Sequence, residues 1–585
     1  MQKINNNIIT PILKQKVETT PEATTKAPQE APVPQAQAGY SPMLSQMILA
    51  QHQNYNTQAP AEVQAVQNAQ TQAPSDYKNN LKTMFRNNEA NILAVIPRTM
   101  NAKDTNGDDL ITEGEVSGNF INAVERLDEI KEMGFNTLHV LPVHPTGKVG
   151  AKGTAGSLYS PADFLEIDPN LRDPNDPRSA KEQFKYFIDE CHKRGIKVML
   201  DLPSCASLDL AQRRPELTAK EKNGEYKTPG GWADIKMLAP WEDETRSKLN
   251  NDVLQMHKDY VDMCIDLGID GIRADVARAK PVEFWNVIIP YSRAKDPEFA
   301  WLAETYTYED ASPQINMPKD RPNDLLYAGF DSYYGQWHIF KDWLKADDLH
   351  KYVIENIENN NNNEKPNSVI GSFATHDDKS PMFNGGAPYV MMTTGLQATL
   401  PQMCPYFVDG IQSGDYYLYK YANGTVAEGQ SKTDSKELYV HEGLLDIFNN
   451  SRKPGGNNPE IGEFIKSSMA LKTGELKEVI NKGSYIPLNT SNDKIIAFAR
   501  HLNGKTLITV ANRDVNAKTS GTVEIPGLSA EQKFVNLLPK YGESSFVEPE
   551  NDALKVELGT ARVQVFEIDT PEIENSGLEV YKQKM

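Results

Sequence analysis

Between about residue 77 and residue 410, apolar residues fall into short unbroken runs separated by amphipathic stretches. The spacing of Leu81, Met84 and Phe85 predicts a helix, and Asn91-Ile-Leu-Ala-Val-Ile-Pro-Arg98 reads as a first buried strand. Phe120, Ile121, Val124, Leu127 and Ile130 then share one helical face and lead into Gly134-Phe-Asn-Thr-Leu-His-Val-Leu-Pro142. The unit repeats, with Phe184, Phe187, Ile188 and Cys191 ahead of Gly195-Ile-Lys-Val-Met-Leu-Asp201. Further strands are expected at Gly271–Ala274, Ala300–Ala303, Leu325–Phe330, Ser368–Phe373 and Met403–Val408, eight in all. Eight strand–helix units point to an α/β fold, a (β/α)8 TIM barrel, whose reacting groups gather at the C-terminal strand ends.

The pattern changes on either side of this region. Residues 1–76 are rich in Gln, Ala, Pro, Thr and Asn, a low-complexity tail too poor in large apolar residues to offset its chain entropy. The barrel is expected over 77–480, with a Gly/Pro-rich insertion at 202–247 after the third strand. Helical spacing returns at Leu444, Leu445, Ile447 and Phe448, and at Ile461, Phe464, Ile465 and Met469. Short β-rich pieces follow, at Lys494–Arg500, Thr506–Ala511, Thr522–Ile525 and Val563–Ile568, divided by Asn-Gly, Pro-Gly and Asn-Asp turns. They predict a small antiparallel β-sandwich over 481–575.

Composition adds limits. The 585 residues are 39% hydrophobic and 24% charged, as in a globular protein of two or three domains. A net charge of -19 disfavours nucleic acid and anionic membranes as partners and suits a neutral substrate. Cys191, Cys205, Cys264 and Cys404 lack metal-site spacing and suggest a reducing, cytoplasmic setting. No apolar run is long enough to cross a bilayer, and the first residues are too interrupted for a secretory signal.

Two stretches carry candidate chemistry. In Gly271-Ile-Arg-Ala-Asp275, Arg273 and Asp275 are two apart on a strand and face the same way, so the carboxylate has its own counter-ion. That suits an attacking carboxylate, and equally a structural ion pair. In Asp104-Thr-Asn106-Gly-Asp108-Asp-Leu110-Ile-Thr112-Glu-Gly-Glu115, oxygen donors stand at positions one, three, five and twelve, with a backbone carbonyl at seven. That spacing fits structural calcium held by Asp104, Asn106, Asp108, Leu110 and Glu115. The sixth position, normally Gly, is Asp109, and the alternative is an acidic solvated loop.

Asp201 ending the third strand, Gly271-Ile-Arg-Ala-Asp275, Leu302-Ala-Glu304 and Phe373-Ala-Thr-His-Asp377 occur in order at barrel-like spacing. Tyr159, Asp163 and Thr399-Leu-Pro-Gln-Met-Cys-Pro-Tyr406 add to them. Over roughly residues 91–410 the chain resembles the α-amylase family of glycoside hydrolases and transglycosylases. The resemblance implies catalysis by Asp275, Glu304 and Asp377, with Arg273, His376, Tyr159 and Asp201 at the sugar. Retaining cleavage needs one carboxylate to attack and a second carboxyl about 5 Å away to protonate the leaving oxygen. The apolar flank Trp301-Leu-Ala ahead of Glu304 suits the proton donor.

Departures from the family are specific. Cys205-Ala206 stands where Asn-His is usual, and Arg278-Ala279 where Lys-His is usual. With His144-Pro-Thr-Gly-Lys148 and Ala279–Trp285, these resemble the bacterial branch that transfers maltose from maltose 1-phosphate to α-1,4-glucans. The side chains implied there for the phosphate correspond to Gly230, Trp232 and Val276. The expectation is therefore a cytoplasmic retaining hydrolase acting on α-glucan or maltooligosaccharides, with a maltosyltransferase or other transglycosylase, or a catalytically silent sugar-binding barrel, as alternatives.

Overall fold

A computed structural model of the chain describes residues 77–107, 111–153, 155–230, 232–306, 322–417, 458–570 and 573–584. The expected tail at 1–76 and the apolar positions Leu444 to Phe448 lie outside them. A parallel sheet is built from β1 (Ile92–Val95), β2 (Thr137–Val140) and β3 (Lys197–Leu202), and, past a short hairpin of β4 (Cys205–Ser207) with β5 (Ile235–Met237), from β6 (Gly271–Ala274), β7 (Ala300–Ala303), β8 (Ser332–Tyr333), β9 (Ser368–Ile370), β10 (Met403–Cys404) and β11 (Tyr406–Val408). The sheet order is β10-β9-β8-β7-β6-β3-β2-β1-β11. Only Pro405 separates β10 from β11, and its carbonyl accepts from Ile92 N at 2.8 Å. One interrupted run thus pairs with β9 on one side and β1 on the other, closing a (β/α)8 TIM barrel.

One expected strand is corrected. Leu325–Phe330 is not extended: Pro322–Ala328 is a helix, and the sixth barrel strand is Ser332–Tyr333. Leu325, Leu326 and Ala328 are buried on one side of that helix while Tyr327 is 63% exposed, a helical face that a short apolar run does not distinguish from a strand. The run Met403–Val408 is likewise split in two by Pro405.

The elements that carry the strands are locally encoded. Ser179 and Glu182 form a reciprocal cap at the start of helix Ala180–Lys193, which buries Phe184, Phe187, Ile188 and Cys191. Asn250 caps helix Asn251–Leu267, and Gly268 ends it at φ 90°. Gly271 is required where β6 passes β7, because a Cβ there would stand 2.7 Å from the Ala300 carbonyl oxygen.

The C-terminal region holds a sheet of order β12-β13-β14-β18 and one of order β15-β17-β16, from β12 (Ser484–Pro487), β13 (Ile495–Leu502), β14 (Lys505–Asn512), β15 (Thr519–Glu524), β16 (Phe546–Glu550), β17 (Ala553–Leu558) and β18 (Val563–Ile568). Ile486, Ile508, Val510, Val523, Leu554 and Val556 pack in one core cluster between them. Arg500 ties this layer to the barrel by donating to the carbonyls of Gly483, Ser484 and Thr399. No helix among the described residues is long and apolar enough to cross a membrane.

At the N-terminal end of the barrel, fully buried Asp331 accepts from Arg86 Nη2 at 2.8 Å, Arg293 Nη2 at 2.6 Å and Trp301 N at 3.0 Å. Removing this carboxylate strands two guanidinium groups. Asp331→Ala is expected to cost about 3–5 kcal/mol in a chemical-denaturation measurement. A loss below about 1 kcal/mol, the range of exposed ion pairs, would contradict this role.

Candidate active site

Strand register brings the candidate residues together. Asp201 on β3 pairs with Arg273 on β6, and Arg273 pairs with Leu302 on β7, so Asp275 and Glu304 leave neighbouring strand ends. Arg273 is fully buried. Its Nη1 donates to Asp201 at 2.8 and 2.9 Å and to Asp275 Oδ1 at 3.1 Å, its Nη2 to Glu304 Oε2 at 2.7 Å, and its Nε to Tyr334 OH at 3.1 Å. One guanidinium therefore serves three carboxylates.

The three are not equivalent. Burial pushes Asp201 up, but Arg273 and the His139 hydrogen bond outweigh it and hold the carboxyl at about 2. Asp275 Oδ2 accepts from Ser204 N at 2.8 Å and Ser204 Oγ at 2.7 Å; burial raises the carboxyl above its ordinary value, and Arg273 and the two Ser204 donors work against that rise. Glu304 receives Arg273 Nη2 and Val276 N, at 2.6 Å, on the same oxygen, Oε2. Its Oε1 faces Tyr306 OH at 3.5 Å. Burial first, then the charges of Asp275 and Asp377, raise Glu304 to about 8 in spite of Arg273. The site thus pairs a many-donor carboxylate with a carboxyl that keeps its proton at neutral pH.

Tyr159 OH donates to Asp201 Oδ2 at 2.8 Å and lies 2.6 Å from His376 Nε2. Burial lowers His376 to about 4, so the ring is neutral. With the Tyr159 proton on Asp201, His376 Nε2–H is the donor to Tyr159. Asp377 is adjacent, with its Oδ2 3.5 Å from His376 Nε2. Asp275, Glu304, Asp377 and Tyr159 border one cavity of about 360 Å³, closed by Trp232, Ile235, Val276 and Cys205. Trp232 arrives on the insertion whose hairpin is β4 with β5, and Lys152 Nζ stands 4.3 Å above its ring.

Several participants were not identified in the sequence. His139 on β2 joins Asp201 Oδ2 at 3.0 Å to Tyr406 OH at 2.9 Å. The alternation of β2 was the available signal, yet burial on both faces of a barrel strand hides which residues point inward. Ser204, Tyr306 and Tyr334 lie just past strand ends, where periodicity is silent.

Of the proposed metal ligands, Asp108 and Leu110 lie outside the described residues. Glu115 Oε1 accepts from Thr105 N at 2.6 Å and Asn106 N at 3.1 Å, and its Oε2 from Thr112 N at 2.9 Å. Hydrogen bonds from Thr112 and Thr105 hold this carboxyl at about 2. Asp104 Oδ1 accepts from Gly107 N at 2.6 Å, and the bridge of Lys103 with Val116 closes the loop. Among the described residues no group of three His, Cys, Asp or Glu side chains converges as a metal-holding set.

No protein-family model matches the chain. It is similar to the alpha-1,4-glucan:maltose-1-phosphate maltosyltransferases of Rhodospirillum rubrum, 24% identical over 462 residues and 72% of this chain, and Corynebacterium glutamicum, 26% identical over 446 residues and 72% of this chain. The matches span 58% and 60% of those relatives' own lengths. Among solved structures, a maltogenic alpha-amylase from Thermotoga neapolitana and an alpha-amylase from Lactobacillus plantarum each give a TM-score of 0.59 over 83% of this chain and 99% of theirs, at 19% and 22% identity.

The electrostatics lead to a measurable titration. Glu304 has a folded value near 8 against about 4.3 when unfolded, so the folded state binds more protons between these values. Its contribution to stability is full below about pH 4 and is lost as pH rises through 8. A protonated-carboxyl infrared band is expected to vanish near pH 8, to be absent in Glu304→Gln, and to move to lower pH in Asp275→Asn. A wild-type protein without a carboxyl titrating above pH 6 would contradict this assignment.

Proposed function

We propose that the chain is a retaining α-glucan transglycosylase of the α-amylase family, with maltosyltransferase-like features. The observation that carries the reading is the Arg273 guanidinium, which binds Asp275 through one terminal nitrogen and Glu304 through the other. Asp275 attacks the anomeric carbon as the glycosidic C–O bond breaks, and Glu304 gives its proton to the departing oxygen. Glu304, now ionised, takes the proton of an incoming hydroxyl, whose oxygen displaces Asp275 and restores the α-linkage. Asp377, which borders the cavity, is assigned to the sugar hydroxyls, and Asp201 and His376, buried behind it, are assigned to holding Tyr159 and Arg273.

Hydrolysis and transfer share this intermediate and differ in which hydroxyl reaches it. The names of the curated relatives support transfer. The apolar wall of Trp232, Val276 and Ile235 supports it too, because such a wall suits a sugar face better than bulk water. The same wall favours a neutral glucan as donor. A phosphorylated donor is the second reading, supported by the relatives' names and by Arg278, which borders the cavity. The four cysteines are buried thiols, in keeping with the proposed cytoplasmic setting.

Incubation with maltoheptaose is expected to yield both longer and shorter glucans, and Asp275→Asn to lose roughly 10⁴-fold in rate with the fold intact. Glu304→Gln is expected to lose rate on maltooligosaccharides far more than on activated aryl α-glycosides. Phosphate release from maltose 1-phosphate with extension of glycogen would establish the phosphorylated donor instead. Products limited to water-cleaved sugars would return the reading to hydrolysis.

Structural calcium is proposed at Asp104, Asn106, Asp108, the Leu110 carbonyl and Glu115. Chelation is expected to lower the melting temperature and added calcium to restore it in a concentration-dependent way. An Asp104→Ala/Asp108→Ala variant is expected to ignore both. No calcium-dependent shift in the intact protein would leave an acidic loop.

A further inference from the structure

The residue after Asp275 has an uncommon backbone. Val276 sits at φ 36°, ψ 62°, in the left-handed region. Among the described residues, eight other than Gly have positive φ: Asn88, Arg246, Val276, Gln402, Tyr417, Asn503, Asp552 and Ala561. Val276 alone of these is β-branched, the side-chain class for which this conformation is least favourable. Such strain persists only where the surroundings impose it, and it gathers at functional sites.

The consequence lies in which groups the turn engages. Asp275 N donates to the Leu202 carbonyl on the β3 side at 3.1 Å, and Glu304 N donates to the Ala274 carbonyl at 3.0 Å. At Val276 the chain turns left-handed, and Ala277 N takes the main-chain carbonyl of Glu304 at 3.1 Å. Val276 N is directed instead to the Glu304 side chain, at 2.6 Å from Oε2. Two consecutive N–H groups therefore grip the same residue, one by its main chain and one by its carboxyl. Oε2 already accepts from Arg273 Nη2 at 2.7 Å, so a proton there would meet two donors. Among the described residues Oε1 meets only the Tyr306 hydroxyl, at 3.5 Å, a group that can turn from donor to acceptor, so a proton fits there.

We propose that Val276 is a positioning residue, whose left-handed turn fixes the Glu304 carboxyl so that the exchangeable proton stands on Oε1, towards the cavity. This rests on the reading of Glu304 as the acid and specifies how that acid is set. The side chain of Val276 is incidental to the role. The backbone N–H and the conformation that aims it are what matter. Loss of that N–H removes a donor that favours the carboxylate, so Glu304 becomes a weaker and less well directed acid.

The test is an amide-to-ester replacement at residue 276, which deletes only the N–H, beside Val276→Gly, which frees the turn, and Val276→Asn, which keeps the N–H and tolerates the left-handed region. The ester protein is expected to lose about 10-fold on maltooligosaccharides and less than about 3-fold on an activated aryl α-glycoside, with the upper limb of its pH–rate profile moved to higher pH. Val276→Gly moves the same way by less. Val276→Asn also changes the cavity wall, so its overall rate is free to fall, but the ratio of its rates on the two substrates and its upper pH limb stay at the wild-type values. An ester protein with wild-type leaving-group dependence and pH limb overturns the proposal. So does a Val276→Asn protein whose substrate ratio and pH limb move as far as those of Val276→Gly, and this comparison decides if the ester protein fails to fold. Glu304→Gln, run alongside, separates the two levels. If it too shows no leaving-group dependence, the reading of Glu304 as the acid fails first.

Discussion

A single buried guanidinium must satisfy three carboxylates, and the organisation of the site follows from that shortage of positive charge. Arg273 contacts Asp201, Asp275 and Glu304 with no exposure of its own. Removing so many charges from water is costly, and Coulomb attraction to one cation cannot hold three anions there. The deficit is met by holding one proton, and the surroundings decide where. Asp201 has His139 and Tyr159 as further donors, and Asp275 has Ser204, whereas Glu304 has one open oxygen facing the cavity. The difference between Asp275, the proposed nucleophile, and Glu304, the proposed acid, therefore follows from how the hydrogen-bond donors are distributed.

The barrel supplies those donors from strands distant in sequence. Tyr406 on β11 reaches His139 on β2, which reaches Asp201 on β3, and Arg273 on β6 reaches Tyr334 beyond β8. Closure through Pro405 is what brings the two edges of the sheet into this network. The hairpin of β4 and β5 adds what the strands do not. It follows directly on Ser204, which holds Asp275, and its return strand carries the Trp232 side of the cavity.

The barrel was legible because buried parallel strands leave continuous apolar runs, and Asp201, Asp275 and Glu304 sit where those runs stop. Leu325–Phe330 was misread since a short apolar stretch of a buried helix looks the same over six positions. Strand β16 was not foreseen, since the exposed edge at Phe546–Glu550 has no strongly apolar face, whereas β17, whose Leu554, Val556 and Leu558 alternate into the core, carried a readable signal that was passed over. His139, Tyr334 and the turn at Val276 depend on three-dimensional closure or on backbone dihedrals, neither of which a residue pattern records. The hydrogen bonds that Glu115 accepts from Thr105, Asn106 and Thr112 arise from the closed loop, which ligand spacing does not record.

In the proposed mechanism a covalent bond forms between Asp275 and a sugar, with Glu304 as the acid that assists it. An activated fluorinated α-glycosyl donor, which slows release of the intermediate more than its formation, permits a direct observation by peptide mass spectrometry. One glycosyl unit is expected on the peptide containing Asp275, absent in Asp275→Asn and lost again when an acceptor glucan is added. Turnover of a natural glucan donor with no label on Asp275, or a label on another carboxylate, would contradict it.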